Sequence, residues 1–220
     1  NSQDKKATIG YVDLTKLNFD MVDDMFTKFK HINAIIFDMR GYPKLTGGAI
    51  SSRLAQQSSL KLAKSSIPLI LEPIETCEEN KSVGSSSKPS SNNRQTGKHY
   101  QTSLDLIHRS NEWIYKGKTV LLIDERAISQ AESLGMALKA ANGTVFIGTP
   151  TAGANGVVTD FSVPGNIRII MSGEKYEFPD GSQLQRKGLQ PDILVKPTIE
   201  GIRSGRDEVL ETAISFVSCP

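Results

Sequence analysis

The chain has 220 residues, enough for one sizeable domain or for a domain carrying an elaborated loop. Its 26 basic and 24 acidic side chains are interspersed and leave a net charge of +2, so no basic face argues for a nucleic-acid partner. No apolar run is long enough to span a bilayer, and the two cysteines (Cys77, Cys219) and three histidines (His31, His99, His108) give neither a disulfide framework nor a metal-ligand spacing. No metal and no cofactor is expected.

The chain opens on polar NSQDKK and enters a strand, ATIGYVDL, almost at once, as a processed piece would. The lack of a visible signal peptide therefore says little about compartment. NFDMVDDMFTKFK places Met21, Met25, Phe26 and Phe29 on one helical face, and NAIIFDMR is apolar enough to be a strand buried on both sides. GYPKLTGG reads as a loop, AISSRLAQQ as helix and IPLILEPI as a third strand.

Residues 76–103 then turn serine-rich and polar, with almost no aliphatic side chains to bury. They predict an insertion within one domain, spanning about 76–112, rather than a linker between two. TVLLIDE follows as a strand, a helix runs from Ser129 to about Asn142, and Gly143 stands where a helix-ending glycine belongs. TVFIG is the next strand. Short alternating segments over 157–195 predict hairpins, and GRDEVLETAISFV predicts a final helix with Val209, Leu210, Ala213, Ile214 and Val217 on one face. Strands alternating with helices, then hairpins, argue a single α/β domain over 1–220 whose sheet comprises ATIGYVDL, NAIIFDMR, IPLILEPI, TVLLIDE and TVFIG, with the hairpins extending or covering it.

DERAISQAESLG, at the turn from TVLLIDE into the helix, carries the chemistry. Ser129 and Glu132 have the spacing of a capping box, in which the serine oxygen accepts from the third helical N–H and the glutamate reaches back to the cap N–H. A serine at a strand-to-helix turn can also attack a carbonyl. This window alone leaves both roles open.

Taken in order, IGYV, AIIFDMRGYP, VLLIDERAISQAES, VFIGTPTAGANG, LQRKGLQPDILV and PTIEGIRSGRDEVLE resemble the S41 family of serine peptidases, the C-terminal processing and tricorn-like proteases. The resemblance covers nearly everything outside 76–112. It implies a ClpP/crotonase-like core, hydrolysis of extended or C-terminal peptide segments, a peptide or protein substrate, and an extracytoplasmic location. It also implies an upstream domain in the native protein. Ser129 then takes the place of the nucleophile, with Glu132 in support. The backbone N–H groups of Gln130 and Gly41 would form the oxyanion hole.

Two departures follow from the same comparison. Where processing proteases of the family carry a lysine base and a glutamine, GTPTAGANGVV has Ala154 and Val158. Where tricorn-like members carry an acid, Gln185 stands, as a possible supporting residue, and no histidine sits in a matching context. The general base is therefore expected outside this chain, which alone would be weakly active or inactive; His99 and His108, flanking the insertion, are the candidates within it. His31 reads as a surface histidine. Asp124 and Glu125 read as loop-orienting partners of Arg126 or Arg40, Asp192 as a turn residue, and Asp207 and Glu208 as a helix start. A decayed peptide- or ligand-binding module on the same fold, and crotonase-type acyl-CoA chemistry, are the competing readings. Fold alone separates none of them.

Overall fold

The computed structural model describes residues 8–69 and 100–219. In chain order the elements are β1 (Ile9–Asp13), α1 (Val22–Lys28), β2 (Ala34–Asp38), α2 (Gly47–Leu54) and β3 (Ser59–Pro68). After residue 99 come β4 (Tyr100–His108), β5 (Lys118–Ile123), α3 (Gln130–Asn142) and β6 (Val145–Gly148). The last third supplies β7 (Val158–Val163), β8 (Ile167–Ser172), β9 (Lys175–Glu177), β10 (Ile193–Leu194), α4 (Ile199–Arg203) and α5 (Glu208–Ser218).

The central sheet is parallel throughout, in the order β1-β2-β5-β6-β10. Its inner strands are buried on both faces. Ile35, Phe37, Leu121 and Ile123 join the core with α1, α2 and α3, while Ala34, Ile36, Val120 and Leu122 meet Val209, Ala213 and Val217 of α5. This two-sided burial is why AIIFD and TVLLI read as unbroken apolar runs. Each such side chain contributes about 1.5–3 kcal/mol relative to exposure. In α5 the buried residues recur every fourth position, and Asp207 caps the helix by accepting the Leu210 N–H at 3.0 Å.

Two expectations fail here. β3 is not a strand of the central sheet. It begins at Ser59, ends at Pro68 and lies in a second, antiparallel sheet of order β4-β3-β9; residues 70–74 of the expected strand lie outside the described residues. The insertion expected over 76–112 likewise stops short, because β4 occupies 100–108 and pairs with β3 along its whole length. Part of this pairing rests on hydroxyl contacts across the strands, Ser65 with Ser103 at 2.7 Å and Ser66 with Thr102 at 3.0 Å. Nothing local in a serine-rich sequence announces such partners.

The hairpins divide three ways. β10 extends the central sheet, β9 joins β3, and β7 with β8 forms a two-stranded ribbon. The register puts Phe161, Val163, Ile167, Ile169 and Met171 on one face of that ribbon. That face is mostly exposed, so the ribbon does not cover the central sheet. Among the described residues no helix is long and apolar enough to cross a membrane.

Candidate active site

In a parallel sheet the loops that can build a site together leave the carboxyl ends of adjacent strands. Here the loops after β2, β5 and β6 do so, since β5 pairs with β2 on one side and β6 on the other. The loop after β5 ends at Ser129, immediately before α3.

Ser129 has φ 55° and ψ −115°, a conformation that side-chain-bearing residues rarely adopt. A local strain of about 1–3 kcal/mol is typical of such a position and persists only where the surroundings impose it. Here they do. The Ser129 N–H donates to the Ala154 carbonyl at 3.0 Å, and its carbonyl accepts from Glu132 and Ser133 at 2.8 and 3.1 Å.

The capping box is not formed. The Ser129 hydroxyl makes no capping hydrogen bond, and the Glu132 side chain does not return to the Ser129 N–H. The Ser129 hydroxyl is thus not used to cap α3. Glu132 is fully buried instead. Its Oε1 accepts from Thr151 Oγ1 at 2.6 Å and from the Gly153 N–H at 2.8 Å, while its Oε2 has no partner among the described residues. Thr151 Oγ1 in turn accepts the Leu189 N–H at 2.8 Å. The carboxyl group thus ties α3 to the 151–154 loop, which holds the Ser129 backbone through Ala154.

The two expected oxyanion donors differ. Gln130 lies in the first turn of α3, where an N–H has no intrahelical acceptor, and it lines the cleft beside the helix. The Gly41 N–H is already committed: it donates to the Met39 carbonyl at 2.7 Å. Glycine is needed there for another reason, φ +153° with Thr15 Cγ2 only 2.9 Å from where a Cβ would sit. The cleft that Gln130 lines, about 280 Å³, is also lined by Gly47 and Gly48 of α2. Theirs are first-turn N–H groups without intrahelical acceptors. In the sequence this pair reads as loop, although two glycines opening an apolar helical run are a helix start with unobstructed backbone.

Gln185 is consumed by the scaffold. Its amide nitrogen donates to the Asn155 and Glu174 carbonyls, both at 2.7 Å, and its oxygen accepts the Tyr176 N–H at 3.2 Å. Asn155, also unanticipated, is buried and donates to Ser133 Oγ at 2.9 Å. Tyr176 donates to Asp105 at 3.1 Å, and burial pushes its phenol up to about 12, so it remains a donor.

No described histidine reaches Ser129. His31 lies exposed just after α1, and His99 lies outside the described residues. His108 lines the same cleft but at its other end. α2 and α3 run side by side in one direction, with Gly47 against Leu134 and the Gln56 N–H on the Ala141 carbonyl. The residues after His108 bond to Ser58 and Ser52, at the C-terminal end of α2. That places His108 level with the third turn of α3, about 12 Å along the axis from Ser129.

The remaining charged candidates are structural. Asp124 pairs with Arg126 at 2.6 Å, and Glu125 accepts from Thr149 at 3.0 Å. Asp192 accepts the Phe146 N–H and Lys139, both at 2.7 Å. Arg40 is not a partner of Asp124 or Glu125; it bridges Asp38 at 2.6 Å and Asp207 at 2.7 Å, locking the end of β2 to the start of α5. Cys219 is exposed after α5, and Cys77 lies outside the described residues.

Solved structures share this fold at low identity. A candidate peptidase from Parabacteroides merdae has TM-score 0.72 at 18% identity, covering 97% of this chain and 63% of that one. Mature CPAF complexed with lactacystin gives 0.67 at 18%, covering 96% and 51%, and the photosystem II D1 C-terminal processing protease 0.55 at 17%, covering 87% and 43%. The chain thus spans about half to two thirds of the first two. A search of curated proteins finds no match. The model of peptidase family S41 matches residues 8–195, most of the chain, and the protein belongs to that family.

Proposed function

We propose that the protein is a serine-type peptidase in which Ser129 attacks the carbonyl of an extended peptide. The observation that carries this reading is the Ser129 backbone, held at φ 55° by Ala154 with its hydroxyl uncapped, directly before Gln130, which lines a cleft. A serine serving only to start a helix has no use for that strain.

In the reaction Ser129 Oγ bonds to the substrate carbonyl carbon and its proton passes to a general base. The carbonyl electrons move onto oxygen, and the resulting oxyanion is received by the Gln130 N–H and by an N–H of Gly47 or Gly48, replacing Gly41 in that role. Collapse expels the amine, which takes the proton from the base, and water then releases the acyl group by the same route. The first turns of α2 and α3 both favour the developing negative charge. Glu132 and Gln185 act on the loop that positions Ser129, not on substrate.

The base comes from outside the described residues. Ala154 supplies no lysine, and His108 sits at the wrong end of the cleft. The same observation favours the second reading, a cleft that binds peptide without cutting it. An extracytoplasmic site of action fits the family, and one structural neighbour is a lipoprotein from Streptococcus agalactiae.

A peptide-cleavage assay on the full-length native protein and on these 220 residues separates the readings. Cleavage by the full-length form, lost by about 10⁴-fold or more in Ser129→Ala, is the expected result. A full-length form that binds peptide with or without Ser129 and cleaves none would establish the binding module.

A further inference from the structure

The cleft beside Ser129 is longer than the oxyanion groups require. It follows α3 from Gln130 to Ala137, about 10 Å along the helix axis. Its polar lining comprises Gln130, the backbone of Gly47 and Gly48, His108, and Ser51 and Ser133, whose hydroxyls are engaged with the Gly48 carbonyl at 3.2 Å and the Asn155 side-chain amide at 2.9 Å. The rest of the wall is apolar, with Leu134 and Ala137 on α3 and Leu62, Leu106 and Ile107 on the second sheet.

Leu62 reaches the cleft through an irregularity in that sheet. Lys61 pairs with Leu106 and Ala63 with Asp105, so Leu62 is an extra residue, a β-bulge. Bulges re-aim side chains and recur beside active sites. Here the bulge adds one large aliphatic group to a wall that a regular ladder would leave to alternate residues.

We infer that this cleft receives the side chain of the residue whose carbonyl Ser129 attacks, and that it selects a long apolar one, such as leucine, methionine or phenylalanine. Ala137 sets the usable length. The inference rests on the reading of Ser129 as nucleophile. With the substrate carbonyl at the Gln130 end, the side chain of the same residue has the apolar trough ahead of it. Alanine would leave most of that trough to water, while a longer side chain displaces it. Ala137 is the smallest side chain on the α3 wall and lies two turns beyond Ser129, so any enlargement there shortens the trough without touching the oxyanion groups.

Tripeptide aldehydes ending in alaninal, leucinal or phenylalaninal test this. Ser129 Oγ adds to the aldehyde carbon, the C=O π bond opens, and the hydroxyl proton passes to the new hemiacetal oxygen. Nothing leaves and no further reactant is needed. Leucinal and phenylalaninal are expected to bind about tenfold or more tightly than alaninal. Ala137→Leu should collapse that ratio toward one, and Ala137→Val should give an intermediate ratio if the larger change impairs folding. A ratio indifferent to both substitutions overturns the inference while leaving the nucleophile intact. If no aldehyde binds in a way that Ser129→Ala abolishes, the nucleophile reading fails. The same tripeptides as free acids, followed by methyl NMR at Leu62 and Leu106, then judge the cleft alone. Shifts with the leucine-ending peptide and none with the alanine-ending one support the pocket, and equal or absent shifts sink it.

Discussion

The buried carboxyl group of Glu132 accepts the Gly153 N–H at 2.8 Å, so a residue in the first turn of α3 holds the loop whose Ala154 carbonyl fixes Ser129. The backbone of Ser129 is thereby set by a side chain three residues further along, acting through a loop more than twenty residues away.

Glu132→Ala removes that tie and leaves the Gly153 N–H and Thr151 hydroxyl without their acceptor. A cost of about 2–4 kcal/mol in urea denaturation is expected, with loss of any Ser129-dependent activity. Glu132→Gln keeps the acceptor oxygen and should fall within about 1 kcal/mol of the parent. Equal losses for the two would mean that packing, not the hydrogen bonds, is what Glu132 provides.

Ser129→Gly and Ser129→Ala should part company in stability while both abolish cleavage. Glycine adopts φ 55° freely and relieves the strain, so it should raise stability by about 1 kcal/mol. Alanine keeps the strain and should not. Thermal unfolding of the two variants, run side by side with the parent, decides this.

The oxyanion assignment predicts that proline tells Gly47 from Gly48. Proline is tolerated in the first turn of a helix but has no N–H. A Cβ at Gly48 meets nothing within 4 Å, whereas one at Gly47 meets Leu134 Cβ at 3.3 Å and requires that side chain to shift by a few tenths of an ångström. One of them should lower kcat by about 10²–10³-fold with little change in melting temperature. Two fully active variants would return the role to Gly41, after a turn of its peptide away from Met39.

The Arg40 bridge predicts an acid-sensitive contribution to stability. Burial alone would raise the Asp38 carboxyl, but hydrogen bonds from Arg40 and Tyr11 overcome it and hold it below the usual range; the Arg40 hydrogen bond lowers Asp207 as well. Groups depressed in the folded state stabilise it fully above their unfolded value, about 3.9, and lose that effect as pH falls through the folded value. Arg40→Met should therefore cost about 3 kcal/mol at pH 7 and progressively less below about pH 4. Urea denaturation at pH 7 and near pH 2.5 measures the difference. A penalty independent of pH would mean that Arg40 acts by packing.

What the sequence determined by itself was β1, β2, β5 and β6 of the central sheet and the position of Ser129 at the turn from β5 into α3. NAIIFDMR, TVLLIDE and TVFIG are apolar because both faces of their strands are covered, and that burial is written residue by residue. The final helix and its Asp207 cap were legible for the same reason, since their signals lie within one or two turns. Only the tertiary structure decided the rest. The β3–β4 pairing joins serines 38 positions apart, Arg40 meets Asp207 across 167, and the Glu132 side chain leaves the local capping box for a loop after β6. The resemblance names Gly41 and the pattern reads Gly47–Gly48 as loop, since a sequence does not show which backbone N–H lacks an acceptor. Which N–H is free depends on where the chain turns in three dimensions, and at Gly41 it turns back onto Met39.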